Sequence, residues 1–148
     1  MREDPWLAER LGCSVMTVEA GDDPAVSADT QTFFQSRVPT SDVPRVSALE
    51  RAGWSVIDVT VTLRRDPGVD GAGGSWAVGR PGAEDREALL AIAETDYDVS
   101  RFHLDPQIPD ATARRIKRDW LAACLDDERG DHVLANATHI RNRRIEAD

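Results

Sequence analysis

The sequence predicts an α/β (α+β) chain built as two small sub-structures, and three observations predict it. Apolar residues recur at helical spacing in stretches 41–53, 84–96 and 110–124. They alternate with polar residues over 54–63. Between the halves, residues 64–75 read RRDPGVDGAGGS, dense in glycine and without hydrophobic periodicity.

Taken in order, Asp4 followed by Pro5 has the form of an N-cap and first-turn proline, and the short helix it starts should stop at Gly12. Residues 13–19 alternate as a strand with Val15 and Val18 inward, ahead of a Gly-Asp-Asp-Pro turn at 21–24. Residues 33–38 form a second candidate strand, ended by Pro39. From Ser41, Val43, Val46, Leu49 and Ala52 recur at helical spacing behind a Ser/Thr cap, and Gly53 closes that helix. Period two then takes over, with Ile57, Val59, Val61 and Leu63 on one face. That stretch is the clearest strand in the chain.

After the glycine-rich stretch, residues 76–79 are a short strand candidate, and Leu89, Leu90, Ile92 and Ala93 define the inner face of a helix over 84–96. Residues 97–109 read as a loop, because prolines at 106 and 109 disfavour helix at the residues before them. Asp110 is placed to cap the next helix. In it Ala113, Ile116, Trp120 and Cys124 line one face, and Arg114, Arg115, Lys117 and Arg118 stay solvated. Residues 132–135 fit one more strand, and the tail has too little to bury to stay ordered. The expected divisions are 1–65, an N-terminal α/β sub-domain; 66–75, a linker; 76–135, a second α/β portion; and 136–148, a frayed tail.

Composition narrows the function. A chain of 148 residues, 41% hydrophobic, can bury one reasonable core or two very small ones. The formal net charge of -9 repels phosphate backbones and anionic lipid, so neither nucleic acid nor membrane is expected as a partner. Cys13 and Cys124 are far apart, without metal-site or disulfide spacing, and are expected as buried thiols in a reducing compartment. Acidic residues stand where a secretory leader needs basic ones, and no apolar run approaches membrane-spanning length, so a soluble cytoplasmic protein is expected. The three histidines have no metal-site spacing, and no metal is expected.

Two stretches carry more than pattern. Residues 33–65 read FFQSRVPTSDVPRVSALERAGWSVIDVTVTLRR. Residues 84–125 read EDREALLAIAETDYDVSRFHLDPQIPDATARRIKRDWLAACL. Together they resemble GNAT-superfamily N-acetyltransferases of the sugar-modifying kind that includes dTDP-fucosamine acetyltransferase. In that family a small α/β domain precedes the acetyltransferase core, and an S-R-F-H-x-D-P type loop lies ahead of a helix containing tryptophan. The matching residues here are Ser100, Arg101, Phe102, His103, Asp105 and Pro106, followed by Trp120.

The resemblance implies a fold in which the N-terminal sub-domain is followed by the first part of a GNAT core. It implies acetyl transfer from acetyl-CoA to an amine, in the complete family that of an amino-sugar nucleotide. It also implies that residues 100–105 border the acceptor pocket, with Arg101 pairing with a phosphate and His103 or Asp105 bonding a sugar hydroxyl or accepting a proton. A plainer alternative stays open: Phe102 and Leu104 anchor the loop, Arg101 and Asp105 form a surface pair, and His103 satisfies a backbone carbonyl.

The sequence departs from the family in two places. GNAT enzymes hold the acetyl-CoA pyrophosphate on a Q/R-x-x-G-x-G/A turn between strand and helix. The nearest text here, RDPGVD at 65–70, ends in a carboxylate that repels phosphate. The only tyrosine, Tyr97, stands at the wrong end to match the family's thiolate-protonating tyrosine, so no catalytic residue is assignable. The expectation is therefore an incomplete GNAT core, a truncated copy that binds no acetyl-CoA and is inactive alone, with a second copy or a missing C-terminal half as partner. The alternative expectation is a non-enzymatic interaction module, or remnant, that docks on another subunit.

Overall fold

The structure, a computed structural model, describes residues 1–26, 31–64, 78–96, 98–130 and 133–136. It is a mixed α/β chain with five helices and two small sheets among those residues. The chain divides into two compact units, Met1–Val59 and Thr60–Asp148.

In the first unit the order is β1 (Arg2–Glu3), α1 (Pro5–Leu11), β2 (Ser14–Thr17), β3 (Thr32–Gln35) and α2 (Val43–Arg51). The Asp4 side chain caps α1 by accepting from the Leu7 amide, Pro5 occupies the first turn, and Gly12 ends it at φ 70°, a conformation glycine adopts without penalty. The sheet order is β1-β2-β3. β1 runs antiparallel to β2, and β2 runs parallel to β3 with Val15 opposite Phe33. Leu7, Val15, Val18 and Leu49 form the core, as their positions in the pattern anticipate.

α2 is capped by Asp42, which accepts from the Arg45 amide, rather than by the expected Ser/Thr. Arg45 then donates to the carbonyls of Asp22 and Glu19, tying α2 to the turn after β2. Trp54 donates its indole N–H to the Pro24 carbonyl, and its ring meets Phe34 edge-on at 6.3 Å.

The strand expected over 54–63 is not formed. The described stretch has no regular structure, and Val59, Val61 and Leu63 are 64%, 73% and 89% exposed. Alternation specifies which face a strand buries, but a strand also needs an edge to pair with, and no described strand flanks this one.

The second unit holds β4 (Val78–Gly79), a 3₁₀ turn at Ala83–Asp85, α3 (Arg86–Thr95), α4 (Arg101–Leu104), α5 (Asp110–Leu125) and β5 (Ala135–Asn136). β4 and β5 pair antiparallel. α3 packs on α5 around Leu89, Leu90, Ala93, Ala113, Ile116 and Ala123. Arg86 joins the helix ends with a bidentate pair to Asp126 at 2.7 and 2.8 Å, and Arg118 reaches Glu87 and Glu94.

Three expectations for this unit, and one for the cysteines of both units, need correcting. Residues 97–109 were expected as loop throughout, yet 101–104 form a helical turn, because both prolines lie beyond it and leave its carbonyls and amides free to bond. Asp110 does not cap α5; Pro109 stands at the N-cap position, and Asp110 lies inside the helix, where its carboxylate meets Arg114. Arg114, Lys117 and Arg118 are half-buried rather than solvated, since α3 and α4 cover the flanks of α5. Cys13 and Cys124 are free and half-buried rather than buried. The linker expected at 66–75, the expected acid-mismatched Tyr97 and the tail beyond Asn136 lie outside the described residues.

Candidate functional site

The site expected from sequence falls on α4 and the residues around it. Ser100 precedes the turn in extended conformation, and its carbonyl accepts from the amides of His103 and Leu104 at 2.8 and 3.0 Å. Its side chain makes no backbone cap. Instead its hydroxyl lies 2.8 Å from His103 Nδ1, which fixes the imidazole on the same turn. The opposite nitrogen, Nε2, is shielded from solvent and has no hydrogen-bond partner among the described residues. A buried polar atom left in that state costs about 1–3 kcal/mol unless something bonds it.

Phe102 and Asp105 do structural work. Phe102 is 3% exposed and meets the Trp120 ring at 6.5 Å, anchoring α4 on α5. Asp105 is buried too. Its carboxylate accepts from the Gln107 amide and its carbonyl from the Ile108 amide, so it shapes the turn into α5. Leu104, in contrast, is 49% exposed and anchors nothing; Ile108, 7% exposed, takes that place.

Comparison with protein-family models, with curated proteins and with solved structures found no match to this chain. The chemistry of the site therefore stands on its own residues.

Sequence reasoning missed the cations around Trp120. Arg101 places its guanidinium 4.6 Å from the centroid of Phe102. On α5, Lys117 Nζ lies 5.8 Å from the Trp120 centroid, and Arg129 beyond the helix lies 5.0 Å from it. Burial, with the positive charge of Arg101 added, holds the Lys117 ammonium below its usual pKa. Helical spacing put Lys117 among solvated residues and Trp120 on the core stripe. Trp120 is half-buried, because one side faces Phe102 and cations approach the rest. No signal along the chain marks this, since it arises from the docking of α4 onto α5.

As to cofactors, the turn from β4 into α3 contains Gly82, but the Glu84 carboxylate sits directly beside that glycine, where a phosphate would need amide hydrogens. No group of three His, Cys, Asp or Glu side chains able to hold a metal occurs among the described residues. No helix among them is long and apolar enough to cross a membrane.

Proposed function

We propose that these residues carry the acceptor-side part of a GNAT-like N-acetyltransferase, which in its complete form moves acetyl from acetyl-CoA to the amine of an amino-sugar nucleotide. The ordered wording of residues 100–106 and the tryptophan-bearing helix after them support the reading. The observation that carries it is the Ser100–His103 pair, which leaves a shielded Nε2 without a partner among the described residues.

In this reading Ser100 selects the imidazole tautomer. With the hydroxyl donating to Nδ1, Nε2 bears the proton and donates to an acceptor hydroxyl. With Nδ1 donating to the hydroxyl, Nε2 is free to take a proton from the incoming ammonium. Arg101 meets the nucleotide phosphate. Phe102 and Asp105 position the turn without touching the substrate. Acetyl-CoA is not held by these 148 residues, which contain no Q/R-x-x-G-x-G/A turn.

Calorimetry tests both halves of the proposal. An amino-sugar nucleotide is expected to bind in the micromolar to millimolar range and to lose at least about tenfold in affinity in His103→Ala, the scale of one buried hydrogen bond. Acetyl-CoA is expected to give no heat. An unchanged His103→Ala isotherm, or micromolar binding of acetyl-CoA, would overturn it.

A second reading, a non-enzymatic module that docks on another subunit, is favoured by one observation: the exposed aliphatic run of Val56, Val59, Val61 and Leu63. It predicts association, and a chain that stays monomeric at every concentration removes it.

A further inference from the structure

Ser100 and His103 bring a hydroxyl and an imidazole into contact, with Oγ 2.8 Å from Nδ1. That is the separation at which a base can take the proton of a serine nucleophile. Both side chains are half-buried. Nε2 is shielded from solvent and has no hydrogen-bond partner among the described residues, so the group that meets the ring is Ser100, through Nδ1.

We infer that Ser100 is a nucleophile that takes the acyl group of an activated aliphatic ester, with His103 as its general base. Ser100 Oγ attacks the ester carbonyl carbon while its proton passes to Nδ1. The new bond is O–C. The bond that breaks joins the acyl carbon to the leaving oxygen, which departs with its electron pair and receives the proton back from Nδ1. The products are O-acyl-serine at position 100 and a free alcohol. This goes beyond the acetyl transfer proposed above and does not depend on it. There the acceptor is a bound amine and the working nitrogen is Nε2; here the acceptor is the chain itself and the working nitrogen is Nδ1.

Three observations support the assignment. Ser100 stands at the N-cap of α4, where a serine ordinarily spends its hydroxyl on a backbone amide, yet its side chain makes no such bond and turns to the imidazole instead. The pair is held in place from outside, because Phe102, between the two residues, is buried against Trp120. Aliphatic surface lies beside the hydroxyl: Val99 is 74% exposed, and Leu104, whose amide bonds the Ser100 carbonyl, is 49% exposed. These side chains suit an aliphatic acyl chain. With no described group bonding Nε2, the imidazolium lacks the carboxylate that supports it in a complete triad. The donor must therefore carry a good leaving group, an ester of an acidic alcohol rather than an amide.

The test treats the full chain with p-nitrophenyl butyrate and maps butyrylated residues by peptide mass spectrometry. In the folded chain Ser100 is expected to react at least about tenfold faster than any of the other seven serines, a part of what general-base help typically contributes. In urea that preference is expected to vanish. His103→Ala, with its folding checked by circular dichroism, is expected to bring Ser100 down to the level of the other serines. The urea comparison uses the parent chain alone, so it decides the matter even where His103→Ala unfolds. A folded chain in which Ser100 reacts no faster than the other serines overturns the proposal, and so does a folded His103→Ala chain whose Ser100 reacts as fast as the parent's. Neither result bears on the calorimetry of the amino-sugar nucleotide, so the two readings fail separately.

Discussion

At Asp126 the chain ends its longest helix with a charge that has a fixed partner. Arg86 holds that carboxylate through two hydrogen bonds and keeps its pKa below the ordinary aspartate value. The folded pKa is depressed, so the stabilisation is present above the unfolded value and is lost as pH falls through the folded one. Asp126→Asn should therefore weaken the second unit near neutrality and leave it unchanged at strongly acid pH. Unfolding followed across that range checks the convergence. The next residue offers the opposite lesson. Asp127 adopts φ 57° so that the amides of Asp127 and Glu128 can return to the carbonyls of Cys124 and Ala123. An aspartate pays a steric penalty there that glycine does not, so Asp127→Gly should stabilise the unit by about 1 kcal/mol, read as a rise in melting temperature. What sequence made legible at this scale was strictly local. The Asp4 cap and the Gly12 stop involve partners a few residues away and could be read. Lys117 could not, because its surroundings come from another helix.

Among elements, α3 and α5 carry the second unit, and Ile116, fully buried, is the centre of their contact. Ile116→Ala should cost about 2–5 kcal/mol, seen as a lower denaturant midpoint with unchanged slope. Arg118→Ala, which removes only the partly exposed pairs to Glu87 and Glu94, should cost about 1 kcal/mol or less. Helices of this length announce themselves because a stripe repeated over several turns has one structural meaning. Residues 54–63 show the limit of that logic for strands. Their alternation is stronger than that of β2, yet β2 is a strand and they are not, since β2 has neighbours on both sides. The one-turn α4 was hidden for a different reason: four residues are too few to show a period, and the adjoining prolines suggested loop.

For the whole molecule, the two units each have their own core, so Ile116→Ala should leave amide protection at Val15 and Val18 untouched. The docking reading belongs at this scale as well. Light scattering on a concentration series should show a rising mass if the aliphatic run 56–63 seeks a partner, and Val61→Lys should suppress the rise. The order α, β, β, α and the presence of a second helical portion were legible from periodicity and glycine content. The proposed function draws instead on the ordered wording of one loop and on the Ser100–His103 pair within it, neither of which periodicity supplies.

That aliphatic run has a practical corollary for anyone handling the material. Six β-branched residues (Val56, Ile57, Val59, Thr60, Val61 and Thr62) with the single charge of Asp58 and no proline are the composition from which cross-β fibrils are seeded. The formal net charge of -9 should oppose association of copies in dilute neutral buffer. Acidifying a stock towards its isoelectric point, or storing it in concentrated salt, removes that mutual repulsion, and turbidity should then begin from this stretch before either core has opened.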